Sequence, residues 1–344
     1  MVDFDPNAVG LAGNQIFGLP SSVEESKVVL VPVPWDVTVS YSAGTAHGPE
    51  AILQASYQVD LFDPINPSGW KEGIAMLDID PIWQSRSELL RPRASSYIAA
   101  LTEGHSVADS PQLQKVVSEV DAAGGELRAW LRDMTLRYLK EGKLIGVVGG
   151  DHSTPLGFID ALATLHSDFG ILQIDAHCDL REAYEGFEFS HASIMWNALK
   201  IPQISKLVQV GIRDYAQCEV DLIASSGGRV KTFFDHELKE AQYDGKTWRS
   251  LCKDIVAALP PKVYLSFDID GLDPKLCPHT GTPVPGGLEF HQAVTLIHEV
   301  IISGRSLIGF DLNEVTPGDD EWDANVGARL LFKLCNLVLT SKRA

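Results

Sequence analysis

Residues 144–153 read Leu-Ile-Gly-Val-Val-Gly-Gly-Asp-His-Ser, and residues 171–179 read Ile-Leu-Gln-Ile-Asp-Ala-His-Cys-Asp. Each starts with a short apolar run that does not alternate and stops abruptly at acids and a histidine. A sheet with one wet face would alternate, so continuous apolarity points to parallel strands covered on both faces. The same pattern recurs at Val28 to Val33, Ile74 to Leu77, Leu207 to Val210, Val263 to Phe267 and Leu307 to Phe310. Helical periodicity fills many of the gaps, over 126–139, 155–165, 247–258, 289–302 and 323–338. In the last of these Val326, Leu330, Leu334 and Val338 recur every four residues, and Asp323 is the expected N-cap. Strands alternating with helices predict a doubly wound α/β fold.

No internal repeat or linker divides the 344 residues, so one domain, 1–344, is expected. Residues 1–27 form an N-terminal extension. The polar stretch 81–123, which ends before Gly124-Gly125, reads as a partly helical insertion or lid. Hydrophobic residues make up 45% and charged residues 22%, enough for a large core. No apolar run approaches the roughly eighteen residues of a membrane span, and the acidic N-terminus is not a secretory signal. A cytoplasmic location is expected. The net charge of −18 argues against nucleic acid and anionic membrane as partners. Five widely spaced cysteines without a Cys-x-x-Cys pair point to reduced, mostly buried thiols.

Four polar clusters follow predicted strands: Gly149-Gly150-Asp151-His152-Ser153, Asp175-Ala176-His177-Cys178-Asp179, Asp268-Ile269-Asp270 and Asn313-Glu314. In open α/β sheets ligands bind at the carboxyl ends of strands, which puts all four on one edge. Alternate side chains of extended backbone share a face, so Asp175, His177 and Asp179 can converge, as can Asp268 and Asp270. With His152 this makes four carboxylates and two imidazoles. Taken singly, each cluster has a plainer reading as a capped turn or strand-end cap. Together they would bury more like charge than a protein holds without a cation. So many anionic ligands suit two divalent ions with shared carboxylates. Oxygen-rich ligation with two imidazoles and no thiolate favours Mn2+, with Ni2+ an alternative.

The motifs at 149–153, 175–179 and Ser266-Phe-Asp-Ile-Asp-Gly-Leu-Asp-Pro274, continuing into 281–288, closely resemble the signatures of the arginase/agmatinase (ureohydrolase) family. Val31-Pro-Val-Pro-Trp-Asp36 and Gly44-Thr-Ala-His-Gly-Pro49 are similar too, and the resemblance spans about 28–80 and 140–340. It implies a three-layer α/β/α sandwich around a mostly parallel eight-stranded sheet. It implies one ion on His152, Asp175, Asp179 and Asp268, and another on His177, Asp175, Asp268 and Asp270, with Asp175 and Asp268 bridging. It also implies hydrolysis of a guanidino compound to urea by a metal-bridging hydroxide that attacks the guanidinium carbon. Glu314 would pair with the guanidinium, His191 would shuttle the proton, and Asp179 would accept a hydrogen bond from the hydroxide. A homotrimer or homohexamer is expected on the same ground.

The loop 180–191 departs from the arginase pattern and looks agmatinase-like, which points to a small cationic guanidino substrate. Arg181 in that loop would repel a distal ammonium if it faced the pocket, unless Glu182, Glu185 or Glu188 neutralised it or it merely braced the loop. Free guanidine is the alternative substrate and would need a small closed pocket, with Trp35, Trp196 and Trp322 as candidate walls. Arginase or guanidinobutyrase activity and a non-catalytic binding homologue are further alternatives. Formiminoglutamate hydrolysis fits less well, because Ser190-His191 departs from that branch.

Overall fold

The computed structural model describes residues 4–341 apart from positions 12 and 14. Eight strands form one sheet: β1 (Val28–Val33), β2 (Ile74–Met76), β3 (Leu144–Gly149), β4 (Phe169–Ile174), β5 (Ile204–Ile212), β6 (Val230–Phe234), β7 (Lys262–Asp268) and β8 (Ser306–Asn313). The order is β2-β1-β3-β8-β7-β4-β5-β6, and every pairing is parallel. The continuous apolar runs are buried along nearly their whole length, as two covered faces require. Strand β6 was not anticipated. It lies at the sheet edge and pairs only with β5, and its alternating Val-Lys-Thr lacks the fully apolar signature.

The helices are α1 (Gly48–Ser56), α2 (Pro81–Thr102), α3 (Pro111–Lys140), α4 (Leu156–Leu165), α5 (Ile194–Leu199), α6 (Gln217–Ser225), α7 (Asp235–Tyr243), α8 (Trp248–Ala257), α9 (Phe290–Ile302) and α10 (Trp322–Thr340). They cover both faces, so the expected three-layer α/β/α sandwich is present. In β1, Val28 and Leu30 join the apolar layer under α1, α8, α9 and α10, while Val29 and Val31 join the layer under α2, α3, α4 and α5. Period-two side-chain direction thus feeds two cores from one strand.

Three expectations change. The stretch 81–123 is helical on either side of the break at 103–110, as expected in part, but it does not form a lid. It is α2 and the first part of α3, both packed into the sheet-facing core through Trp83, Leu90, Tyr97 and Val120. Helix α3 does not stop at Gly124-Gly125, because those glycines serve close packing: a Cβ on Gly124 would lie 2.8 Å from the Cβ of Phe189. Asp323 is not the N-cap of α10. Glu321 holds that position, and the fully buried Asp323 accepts His279 N–H at 3.0 Å and faces its Nδ1 at 2.8 Å. The N-terminal extension is also anchored, since Phe17 packs edge-on against Phe332 at 5.0 Å. All five cysteines are free, and all but Cys218 are buried. Among the described residues, no helix is long and apolar enough to cross a membrane.

Candidate metal centre

The strand order puts β3, β8, β7 and β4 side by side in the middle of the sheet. These are the four strands whose carboxyl ends carry the polar clusters, so residues far apart in sequence meet at one sheet edge. His152 Nδ1 faces Asp175 Oδ2 at 3.0 Å, Asp179 Oδ2 at 3.1 Å and Asp268 Oδ2 at 3.2 Å. His177 Nδ1 faces Asp270 Oδ2 at 3.0 Å and Asp175 Oδ1 at 3.6 Å. Asp175 therefore turns one oxygen to each histidine. The structure brings together all six predicted ligands. It places Asp268 against His152, with its Oδ1 accepting the Asp270 N–H at 2.9 Å.

Local backbone explains the convergence. His177 N–H donates to Asp175 Oδ1 at 2.6 Å, and Ala176 N–H to Asp270 Oδ1 at 3.0 Å, which locks the turn after β4 onto the turn after β7. Asp179 and Glu314 sit at φ of 54° and 64°, left-handed conformations that non-glycine residues adopt only where surroundings enforce them.

The donor set fits cations. His152 Nδ1 is buried and has no hydrogen-bond partner, although three carboxylate oxygens surround it. Its other ring nitrogen, Nε2, lies 2.8 Å from Ser266 Oγ, which in turn donates to Asp311 Oδ1 at 3.1 Å. With its own proton spent on Asp311, the hydroxyl accepts from Nε2–H. That assigns the tautomer that leaves the Nδ1 lone pair for a metal. Burial disfavours charge on His152, but Asp175, Asp179 and Asp268 outweigh it and raise its pKa well above the usual value. Burial likewise opposes a charged His177, and Asp270 and Asp175 outweigh it. Protons are thus drawn to the places where cations would sit. Burial, then the neighbouring Asp175, pushes Asp179 up to about 7.

Glu314 is buried, not a surface acid, and its Oε1 accepts the His152 backbone N–H at 2.8 Å. Burial, followed by the nearby Asp151, raises its carboxyl well above the usual range. His191 lies in a one-turn 3-10 helix capped by Ser190, and its ring meets Tyr184 edge-on at 5.9 Å. Burial, then the charges of His177 and His152, pushes its imidazole down to about 3.

A cavity of about 490 Å³ opens onto this cluster, lined by His177, Asp179 and His191 and, farther out, by Tyr41, Arg181, Tyr184, Asp214 and Glu219 among others. Arg181 faces the cavity, but its partner is not one of the loop glutamates. Its Nε is 3.7 Å from Glu219 Oε2, and its guanidinium lies 5.1 Å from the centre of the Tyr184 ring. None of Trp35, Trp196 and Trp322 lines this cavity. Trp35 is core, edge-on against Trp83 at 6.0 Å, and the half-exposed Trp322 donates to the Lys275 carbonyl. Among the described residues, the cavity at the cluster therefore lacks the tryptophan walls expected of a pocket for free guanidine.

Several site residues escaped the sequence reading. Gln173, Ser266 and Asp311 are polar residues inside apolar central strands, and that was their signal: a buried polar side chain needs a partner. Gln173 donates to Asp175 Oδ2 at 2.8 Å. Asp311 gathers the Tyr264 hydroxyl, Ser266 Oγ, the Phe267 N–H and Asn313 Nδ2.

A parallel α/β sandwich with two histidine–carboxylate clusters at the carboxyl edge of its central strands defines a two-metal hydrolase. The sequence profile of the arginase family matches residues 26–336. The chain is 30% identical over 314 residues to the N(1)-aminopropylagmatine ureohydrolase of Thermus thermophilus, with 91% of each chain covered. It is 27% identical to the agmatinase of Halalkalibacterium halodurans over 87% of each. Its fold matches the agmatine ureohydrolase of Thermoplasma volcanium with a TM-score of 0.70, over 95% of this chain and 94% of that one, at 20% identity. The chain belongs to the arginase family, whose members are binuclear-metal hydrolases of carbon–nitrogen bonds. Its relatives are agmatinase-like ureohydrolases and do not favour guanidine hydrolysis.

Proposed function

We propose that the chain hydrolyses a cationic guanidinoalkylamine of the agmatine type to urea and an amine. The observation that carries this is the pair of histidine–carboxylate clusters joined through Asp175 and open to one cavity. His152, Asp175, Asp179 and Asp268 would hold one divalent ion, and His177, Asp175, Asp268 and Asp270 the other, with Asp268 as the second bridge. The oxygen-rich donor set favours Mn2+, with Ni2+ next. Divalent ions held by these residues would offset the buried carboxylates and would supply a water acidified toward neutrality.

The chain's own residues supply recognition and proton handling. Glu314 pairs with the guanidinium. Its raised pKa means that a cation is needed to stabilise its ionised form, so neutral amides are disfavoured. His191 stands at the cavity wall, the position from which an imidazole would pass a proton to the leaving amine. Asp179 can orient the attacking water. Glu219 offsets Arg181, which leaves the exposed Asp214 to meet a distal ammonium. The relatives named for agmatine and aminopropylagmatine support this substrate class.

Urea release should be assayed with agmatine, aminopropylagmatine, arginine, guanidinobutyrate and guanidine after loading with Mn2+ or Ni2+. The two amines are expected to lead; urea from guanidine alone, or from none, would overturn the reading. We further propose a homotrimer or homohexamer in the cytoplasm, without nucleic-acid or membrane partners. The net charge of −18 and the five free thiols support the location and the absence of polyanionic partners. A monomer by light scattering at micromolar concentration would refute the assembly.

A further inference from the structure

Two loops form the outer wall of the cavity. Residues 36–44 contribute Ser40 and Tyr41, and residues 180–191 contribute Arg181, Tyr184 and His191. Both loops are gripped by one helix that lies outside the metal cluster. From α2, Arg91 Nη1 donates to the Val37 carbonyl at 3.1 Å and also to that of Val39. One turn earlier, Ser87 Oγ accepts the Asp36 N–H and donates to its Oδ1, both at 3.3 Å. Asp36 Oδ2 then accepts the Gly44 N–H at 2.9 Å, which closes the first loop at its base. Farther along α2, the Tyr97 hydroxyl donates to the Glu185 carbonyl at 2.7 Å, and its ring packs on Phe187 at 5.1 Å. Glu185 is held at φ of 54°, which needs an external hold. The partner helix α3 adds Asp121 Oδ1, which accepts the Glu188 N–H at 2.8 Å.

We propose that Arg91 and Tyr97 are positioning residues for substrate selection: by fixing the loops 36–44 and 180–191 they set the width of the cavity mouth, and so the length of guanidino tail that fits. This rests on the function proposed above. Neither residue lines the cavity or touches the six metal-ligand candidates, so each acts through backbone that the loops present. Carbonyls are the groups held, so the grip fixes chain position without dictating which side chains face the substrate. The helical pair α2–α3 thereby has a role in which the chemistry at the metal cluster takes no part.

The test uses the full-length, metal-loaded protein and guanidinoalkylamines of increasing chain length. Tyr97→Phe keeps the ring and loses one hydrogen bond. Arg91→Lys keeps the charge, but its shorter stem does not carry the ammonium to the Nη1 position from which both carbonyls are met. Each should raise KM for the preferred length by about fivefold, the effect of one such bond, and flatten the dependence on length. The kcat at saturation and the metal content should stay at wild-type values. Hydrogen exchange should speed up at 37–41 and 184–188 and nowhere in the central strands. Ser96→Ala, on the exposed side of α2, is the control and should change nothing. An unchanged length profile with unchanged loop exchange would overturn the proposal. So would an equal loss of kcat for every length together with loss of metal, since that marks a general structural role. If the wild type released urea from none of the series, the functional reading would fall and the selection claim with it. Loop exchange would then show separately whether α2 holds the loops.

Discussion

Glu314 Oε1 accepts the backbone N–H of His152 at 2.8 Å, so the residue proposed to pair with the guanidinium is braced on the backbone of a metal-ligand candidate. The strand order causes this: β3 and β8 are neighbours, and their carboxyl ends present His152 and Glu314 together. On the proposed roles, recognition and metal binding would be coupled through this one hydrogen bond.

Glu314→Gln should separate the two. The amide oxygen can still accept the His152 N–H, so metal content should remain near wild type. The charge-assisted pair with the guanidinium is lost, at about 2–3 kcal/mol, and kcat/KM should fall roughly a hundredfold. Glu314→Ala should lose activity and also weaken metal binding. Elemental analysis beside urea-release kinetics checks both, and loss of an ion in Glu314→Gln would show that the glutamate is itself a ligand.

Asp175→Ala should cost both ions, because its two oxygens face the two histidines. His152→Ala should mainly weaken one, leaving His177 and Asp270 at 3.0 Å from each other. Asp268→Ala tests the second bridge: loss of both ions supports it, and loss of one restricts Asp268 to the His152 side. Metal-to-protein ratios after dialysis decide between these outcomes.

His191→Ala should keep its metals and lose turnover more than substrate affinity, because proton delivery belongs to the chemical step. The His191 ring contacts Tyr184 and lies beyond the ligand set. Unchanged kcat would remove it from the mechanism.

Chelation should lower thermal stability. Four buried carboxylates lose their countercharge, and binding energy linked to the folded state disappears. A fall in Tm on the order of 5 °C is expected for a chain of this size, reversed by adding Mn2+. Thermal scans with and without chelator measure it. An identical Tm in protein shown to carry metal beforehand would contradict a load-bound native state.

Asp311→Ala should be more destabilising than its distance from the cavity suggests. The side chain is fully buried and accepts from Tyr264, Ser266, the Phe267 N–H and Asn313. Removing it strands several buried donors, a loss of about 3–5 kcal/mol, and frees Ser266 from its hold on His152. Tyr264→Phe removes one donor only and should cost about 1 kcal/mol. Denaturant midpoints compare the two.

Seven of the eight strands, the two-faced burial and all six ligand candidates were legible in the residues alone. Unbroken apolar runs have few ways to be buried, and a chain does not collect acids and histidines at successive strand ends without a cation to balance them. The family motifs at 149–153, 175–179 and 266–274 carried the chemistry for the same reason. Tertiary structure decided what depends on neighbours distant in sequence. Strand β6 is an edge strand in which Lys231 faces solvent and the buried Thr232 bonds to Gln209 at 2.8 Å, so its apolar pattern is weak. The Gly124-Gly125 pair looked like the boundary of the stretch 81–123 because its packing partner, the Phe189 side chain, comes sixty-odd residues later. Arg181 found Glu219 and not the acids beside it, since the chain returns there only after β5. That Asp175 faces both histidines, that Glu314 rests on His152 and that α2 grips both cavity loops all follow from strand order and helix packing. Local pattern determines which residues must be buried or paired; only the folded chain determines with whom.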